Sequence, residues 1–175
     1  MKILALEGID GAGKTTLAGM VKVPGVHVSA EPYTEMYTKL IESSRWKDPV
    51  ELALLFAADR EIHLKSLPKA SLYLFDRYFF SSVAYQYEAG IEWVLEVNRK
   101  FPYPERTVLI DLPVELALAR ISADKFDFQE KREKLSKVRE IYLYLAEKFD
   151  FIILDGREPK DVLYSKLEGI IQELL

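Results

Sequence analysis

The first fifteen residues contain a motif that commits the chain to one way of binding phosphate. A short apolar run, Ile3-Leu4-Ala5-Leu6, leads into residues 8–15, Gly-Ile-Asp-Gly-Ala-Gly-Lys-Thr, which match the pattern G-x-x-x-x-G-K-[ST]. The glycines let the backbone curl until successive N–H groups point at one anion. A helix that begins at Lys14 adds its positive end beneath the same phosphates. The sequence therefore predicts a strand, a phosphate-binding loop and a helix, in that order.

Two side chains of this loop have separate predicted roles. Lys14 can reach the β and γ phosphates of a nucleotide, and the Thr15 hydroxyl can ligate Mg²⁺. The alternative is a glycine-rich turn that binds no ligand. The context favours nucleotide binding, because an apolar strand precedes the loop and a helical pattern follows it.

The composition indicates a single cytoplasmic domain. A chain of 175 residues, 49% of them hydrophobic, is long enough to bury a substantial core. Its net charge of −4 and its isoelectric point near 5.4 argue against a general nucleic-acid binder. There is no cysteine, and no apolar stretch approaches the roughly 20 residues that span a bilayer. Glu7 interrupts the first apolar run, so we expect no signal peptide and no membrane contact.

Strand-like runs alternate with helical patterns along the chain. The predicted strands are 2–6, 25–29, 72–75, 107–110 and 150–154. The predicted helices after the one at Lys14 are 49–66, two pieces within 79–100 that break near Gly90, 113–122, 130–148 and 159–174. This alternation is typical of a parallel sheet covered on both faces. We therefore expect a three-layer α/β P-loop fold with five parallel strands, in one domain that covers residues 1–175.

A second phosphate-handling element follows the third predicted strand. The apolar run Leu72-Tyr-Leu-Phe ends in Asp76 and Arg77. In P-loop enzymes an aspartate in this place commonly holds Mg²⁺. An arginine at the carboxyl end of a strand, facing a phosphate loop, can clamp a second phosphate. The alternative is a solvated Asp-Arg turn.

Four blocks of the chain together resemble the thymidylate kinase family. They are residues 8–16 in the phosphate loop, Glu31-Pro32, residues 54–60 (Leu-Leu-Phe-Ala-Ala-Asp-Arg) and residues 76–86 (Asp-Arg-Tyr-Phe-Phe-Ser-Ser-Val-Ala-Tyr-Gln). The resemblance implies Mg²⁺-dependent transfer of the γ-phosphoryl group of ATP to dTMP, which yields dTDP and ADP for dTTP biosynthesis. It also favours a homodimer through the apolar helix at 50–58, although that apolar stripe could simply be core.

The resemblance assigns roles residue by residue. The implied ATP-binding residues are Gly8, Ile9, Asp10, Gly11, Ala12, Gly13, Lys14, Thr15 and Thr16. The implied acceptor-binding residues are Asp10, Phe56, Arg60, Arg77, Ser82 and Tyr85. The implied catalytic residues are Lys14, Asp76, Arg77 and Arg120, and the implied metal ligands are Thr15 and Asp76. Without the resemblance, Phe56 would be read as core and Arg60 as a surface charge.

Residues 121–131 lack an apolar period, and in this fold their position carries a lid over the nucleotide. Some members of the family have a catalytic arginine inside the phosphate loop, where this chain has Gly11. A cation must therefore come from the lid region, and the candidates are Arg120, Lys125, Lys131 and Arg132.

The segment around Glu31-Pro32 departs from the family pattern and leaves other functions open. Ala30 stands where many members have an arginine, so Lys39 or Arg45 would have to replace that contact to the acceptor phosphate. A kinase for another nucleotide or for a deoxynucleoside is therefore one alternative. A nucleotide-binding regulator without transfer activity is another, because the lid region has few arginines.

Overall fold

The sheet has the predicted architecture. The computed structural model describes residues 1–43, 47–121 and 128–175. Within these ranges five strands form one parallel sheet in the order β2-β3-β1-β4-β5. The strands are β1 (Ile3–Glu7), β2 (Val26–Ala30), β3 (Leu72–Asp76), β4 (Arg106–Asp111) and β5 (Ile152–Asp155). The expected α/β class and the five-stranded parallel sheet are confirmed.

Most of the helices also lie where the sequence predicts them. The described residues form α1 (Lys14–Met20), α2 (Glu35–Ser43), α3 (Pro49–Ser66), α4 (Phe79–Tyr85), α5 (Ile91–Asn98), α6 (Val114–Arg120), α7 (Phe128–Phe149) and α8 (Lys160–Leu174), with a 3₁₀ turn at Tyr87–Ala89. Helix α2 was not predicted. It spans nine residues and buries only Ile41.

The central strands are covered on both faces. Every residue of β1 and β3 is buried, whereas the edge strands β2 and β5 are largely half-buried or exposed. Continuous burial of both sides of a strand requires helices above and below it. This explains why the central strands are unbroken apolar runs in the sequence.

The register of β1 and β3 positions the two phosphate-handling segments. Leu6 of β1 pairs with Asp76 of β3, and the Arg77 N–H donates to the Leu6 carbonyl at 3.0 Å. In parallel sheets, ligands bind beyond the carboxyl ends of the strands. The loop after β1 and the Asp76–Arg77 segment after β3 therefore lie side by side at that edge.

The predicted lid lies mostly outside the described residues. Of residues 121–131, positions 122–127 are not described, and positions 128–131 form the first turn of α7. In the described part of the chain, no helix is both long enough and apolar enough to cross a membrane.

The N-terminus of α3 offers a test of helix capping. Asp48 Oδ1 accepts hydrogen bonds from the N–H groups of Val50 (2.9 Å) and Glu51 (3.0 Å), and Pro49 occupies the first helical position. We expect Asp48→Ala to lower the free energy of unfolding by about 1 kcal/mol, because two helix-end donors lose their acceptor. Asp48→Asn keeps an acceptor and should lose much less. Chemical denaturation of both variants checks this, and equal losses would contradict it.

Candidate active site

The phosphate loop is shaped by close contact with α6. Gly11 has a φ of +81°, and a Cβ built there would lie 2.6 Å from the Ala117 carbonyl oxygen. A side chain at this position would therefore meet both backbone strain and a clash with backbone. An arginine at this position, where some family members carry one, would require α6 or the loop to shift.

Lys14 is the buried cation at the centre of the loop. Its side chain is 4% exposed, and Nζ donates to the carbonyl oxygens of Gly8 (2.8 Å) and Ile9 (2.9 Å). Burial, assisted by the nearby charge of Arg77, lowers the pKa of Lys14 to about 7. An anionic ligand would reverse that shift, because it stabilises the charged ammonium.

The two predicted metal ligands are in direct contact. The Thr15 hydroxyl donates to Asp76 Oδ2 at 2.5 Å. Asp76 Oδ1 is buried and has no hydrogen-bond partner among the described residues. A buried carboxylate oxygen without a partner is costly unless a ligand or water satisfies it, so the pair has capacity for one more contact.

A first cavity of about 450 Å³ lies on one side of the loop. Arg120, at the end of α6, donates to the carbonyl oxygens of Gly11 (3.4 Å) and Gly156 (3.2 Å), so it bridges the phosphate loop and the loop after β5. The residues that line this cavity are Gly11, Ala12, Gly13, Thr15, Thr16, Leu17, Arg120, Gly156, Glu158, Lys160 and Leu163.

A second cavity of about 530 Å³ lies on the other side, and all six predicted acceptor residues line it. These are Asp10, Phe56, Arg60, Arg77, Ser82 and Tyr85. The structure therefore gathers side chains from the phosphate loop, from α3 and from the segment that runs from β3 into α4. Asp10 and Gly11 are consecutive, so the two cavities adjoin at the phosphate loop.

Arg60 is one of the most buried side chains in the molecule. It is 1% exposed, so reading it as a surface helix charge is wrong. Its Nη2 donates to Glu31 Oε2 at 2.6 Å and to Ser82 Oγ at 3.3 Å, Nε donates to Glu31 Oε2 at 2.9 Å, and Nη1 donates to Asn98 Oδ1 at 2.5 Å. These partners fix the guanidinium at the cavity wall. Phe56, one helical turn away, is half-buried and faces the same cavity.

Arg77 meets Asp10 and Tyr85 at the mouth of the second cavity. Its Nη2 forms an ion pair with Asp10 Oδ1, and its guanidinium lies 5.2 Å from the centre of the Tyr85 ring. The Tyr85 hydroxyl accepts the Asp10 N–H at 2.9 Å. Burial raises the pKa of Tyr85 well above its ordinary value, so the ring stays neutral. The two phosphate-handling segments are thus joined by direct contacts.

Gln86 is a site residue for which the sequence alone predicts no role. It is 3% exposed and lines the second cavity, and its Oε1 has no hydrogen-bond partner among the described residues. Its place in the 76–86 block is the sequence signal that points to it.

Glu31 and Asn98, which hold Arg60, lie 29 and 38 residues from it in the chain. Nothing in the local sequence indicates those contacts.

The candidate lid cations fall into different places. Arg132 pairs with Glu115 at 2.7 Å, whereas Lys131 lines the second cavity together with Lys134, which is not among the candidates predicted from the sequence. Lys125 lies outside the described residues. Of the two proposed substitutes in the segment after β2, Lys39 pairs with Glu35 and does not line the cavity, and Arg45 lies outside the described residues.

The lowered pKa of Lys14 predicts proton uptake on nucleotide binding. Above pH 7 the free protein loses the Lys14 proton, and the polyphosphate of ATP should restore it, so affinity should fall as pH rises. Calorimetric titration with ATP at about pH 8, in buffers of different ionisation enthalpy, should show uptake approaching one proton. At about pH 6 Lys14 is already charged, and this uptake should vanish. Equal proton exchange at both pH values would contradict the assignment.

The Glu31–Arg60 pair predicts a large stability effect. Glu31→Ala leaves a buried guanidinium without its carboxylate, which should cost about 3–5 kcal/mol of unfolding free energy. Glu35→Ala is the matched control, because it removes the carboxylate of an exposed pair with Lys39 and should barely move the denaturation midpoint. Similar midpoints for the two variants would show that the buried pair is not needed for stability.

Comparison with known proteins agrees with this geometry. The model of the thymidylate kinase family matches residues 6–167. The chain is similar to probable thymidylate kinase 1 of Saccharolobus solfataricus, with 47% identity over 99% of this chain and 98% of the relative. It is also similar to probable thymidylate kinases of Sulfurisphaera tokodaii (44% identity, 99% and 97% covered) and Thermococcus onnurineus (40% identity, 98% of each chain). The chain belongs to the thymidylate kinase family, and is therefore a nucleoside monophosphate kinase.

Proposed function

We propose that this protein transfers the γ-phosphoryl group of ATP to dTMP, with Mg²⁺, and yields ADP and dTDP. The observation that carries the proposal is the pair of cavities that adjoin at Asp10 and Gly11. Phosphoryl transfer needs two anionic phosphates held in line with their charge neutralised, and little covalent chemistry from the protein. One cavity supplies a phosphate loop, and the other supplies an arginine beside an aromatic, mostly apolar pocket.

The donor takes the first cavity. The loop amides of residues 8–15 and the Lys14 ammonium bind the β and γ phosphates. We assign Arg120 to the donor as well, and its bridge between Gly11 and Gly156 at that cavity supports this assignment. Binding replaces the carbonyl partners of Lys14 with phosphate oxygens, which are stronger partners for an ammonium.

Thr15 and Asp76 would hold Mg²⁺. A hydroxyl and a carboxylate are hard oxygen donors, and Mg²⁺ usually takes one or two such protein ligands beside phosphates and water. The partnerless Asp76 Oδ1 supports this fit. When bound, the ion neutralises charge on the transferring phosphoryl group.

The acceptor base enters the second cavity beside Phe56, Arg60 and Gln86. The phenylalanine ring offers a stacking face, and the fixed guanidinium is a donor for a base carbonyl. Gln86 Oε1 is an acceptor that lacks a donor, which suits the ring N–H of a pyrimidine such as thymine. An unpaired polar atom in the free site favours ligands that pair with it.

The acceptor phosphate binds Arg77, and the sugar lies beside Asp10 and Tyr85. A phosphate oxygen competes with Asp10 for the guanidinium. The Tyr85 ring, held through the Asp10 N–H, walls the cavity beside C2′ and disfavours a ribose hydroxyl. Ser82 supports the site indirectly, because its hydroxyl accepts from Arg60.

Two further parts of the proposal concern the oligomeric state and the cellular location of the protein. Exposed apolar side chains cluster on α2 and α3, namely Met36, Leu40, Val50, Leu54 and Ile62, and they support a homodimer through these helices. The reaction supplies dTTP biosynthesis, which we place in the cytoplasm. Neither assignment needs a nucleic-acid partner.

The direct test is an ADP-release assay with Mg²⁺-ATP against dTMP, dUMP, dCMP, dGMP, AMP and thymidine. We expect dTMP to give the strongest turnover. Preference for thymidine or for another nucleotide would move the function to a different acceptor, which the altered segment after Ala30 motivates. Tight ATP binding without any acceptor would favour a non-catalytic regulator.

A matched pair of variants separates the base pocket from the phosphate contact. Phe56→Ala removes stacking, so the affinities for dTMP and for thymidine should both fall about tenfold. Arg77→Ala removes a phosphate contact, so the affinity for dTMP should fall at least as far, while that for thymidine should not fall, because the variant also frees the Asp10 carboxylate. Calorimetric titration of each variant with both ligands measures this. An Arg77→Ala variant that loses thymidine as strongly as dTMP would refute the assignment.

A further inference from the structure

Glu7 is a buried acid that the proposed chemistry does not use. It is the last residue of β1, its side chain is fully buried, and it lines neither cavity. Burial raises the pKa of Glu7, and hydrogen bonds from Ser81 and Tyr142 oppose this rise. Burial removes the carboxylate from water, which is unfavourable. Glu7 therefore needs hydrogen-bond donors around it.

The partners of Glu7 lie at the start of α4. Glu7 Oε1 accepts the N–H groups of Tyr78 (3.0 Å) and Ser81 (3.3 Å). One N–H group is that of the N-cap residue Tyr78 and the other, that of Ser81, lies in the first turn of the helix. The Ser81 N–H also donates to the Tyr78 carbonyl at 3.0 Å, and Tyr78 makes no side-chain cap, so Glu7 is the side-chain acceptor at this end of the helix. Glu7 therefore caps α4 from a different element, and its negative charge lies at the positive end of that helix.

The same carboxylate orients a hydroxyl that contacts Arg77. The Ser81 hydroxyl donates to Glu7 Oε2 at 2.6 Å, and Arg77 Nη1 donates to Ser81 Oγ at 3.3 Å. Because the Ser81 proton is directed toward Glu7, the lone pairs of that oxygen are left for the guanidinium. The Tyr142 hydroxyl donates to Glu7 Oε2 at 2.9 Å and completes its set of donors.

Arg77 needs such support from its surroundings. Its φ of +72° lies in the left-handed region, which is unfavourable for a residue with a side chain. It connects the end of β3 to the N-cap of α4, so its conformation depends on how these two elements are held. Glu7 is attached to β1, beside β3, and grips the first turn of α4.

We propose that Glu7 is a positioning residue: by capping α4 and orienting Ser81, it aims Arg77 at the phosphate of the acceptor. This inference rests on the proposed role of Arg77 in binding that phosphate. It predicts that loss of the carboxylate weakens recognition of the phosphate and leaves the base pocket and the donor site intact.

The test compares ligands with and without the phosphate. Glu7→Gln should lower dTMP affinity about tenfold, the scale of one lost hydrogen bond to a charged group. Affinities for thymidine and for ATP should stay within about twofold of the wild type. In the kinase assay the KM for dTMP should rise while the KM for ATP is unchanged. Tyr142→Phe is the comparison variant. It removes one donor to Glu7 and the contact of the Tyr142 hydroxyl with Ser81 Oγ (2.8 Å), but it keeps the carboxylate that accepts from the Tyr78 and Ser81 N–H groups, so it should lower dTMP affinity less than Glu7→Gln does.

A double-mutant cycle shows whether the effect passes through Arg77. In an Arg77→Lys background, Glu7→Gln should cost little more dTMP affinity, because the guanidinium it positions is already gone. An equal loss in both backgrounds, or a parallel loss of thymidine or ATP binding, would overturn the proposal and leave Glu7 as a stability residue. If Glu7→Gln does not fold, Glu7→Asp withdraws the carboxylate from α4 and gives the same readout.

These outcomes are separable from the proposed function. A wild-type protein that binds dTMP without phosphorylating it would reject the proposed function, while the binding cycle would still decide the role of Glu7. A wild type that binds thymidine as tightly as dTMP would reject the role of Arg77, and with it this inference.

Discussion

The pairing of β1 with β3 is the constraint on which the rest of the site depends. Because Leu6 and Asp76 are partners in the sheet, the loop after one strand and the Asp-Arg pair after the other emerge at the same point. Both cavities, the Thr15–Asp76 contact and the Asp10–Arg77 ion pair are consequences of that register. A strand inserted between β1 and β3 would increase the distance between the two segments by about 5 Å and break every one of these contacts.

Several charged side chains lie close together at this edge of the sheet. Their burial would be unfavourable if they did not pair with one another. Burial and then the charge of Arg77 lower the pKa of Lys14, and the charges of Asp10, Asp76 and Glu7 oppose that shift. On the base side, Arg60 is neutralised by Glu31 and held by Asn98. The partners of the two arginines differ. Those of Arg60 are buried and fixed, whereas Asp10, the partner of Arg77, is half exposed and can be replaced by a ligand.

Much of the fold could be predicted from the sequence, because its signals are local. The apolar strands, the phosphate loop and the Asp48-Pro49 helix start are each readable within a few residues. The helix at 79–100 was predicted in two pieces, and the structure breaks it into α4, a 3₁₀ turn and α5 around Gly90. Helix α2 is absent from the prediction although Met36, Leu40 and Ile41 recur at helical spacing, because its nine residues give a short pattern. The roles of Glu31, Asn98 and Glu7 could not be predicted, since their partners lie 29 to 135 residues away. A buried acid such as Glu7 looks, in the sequence, only like an interruption of an apolar run.

In the proposed function, the ion pair between Asp10 and Arg77 couples recognition of the acceptor phosphate to recognition of the sugar. While the guanidinium holds the Asp10 carboxylate, that carboxylate is engaged and meets an incoming sugar hydroxyl poorly. A ligand phosphate that captures Arg77 releases Asp10 for the sugar in the same step. A nucleoside without a phosphate gains neither contact. On the proposed roles of these two residues, the ion pair disfavours unphosphorylated acceptors in the free enzyme, and the phosphate of the substrate is what opens it.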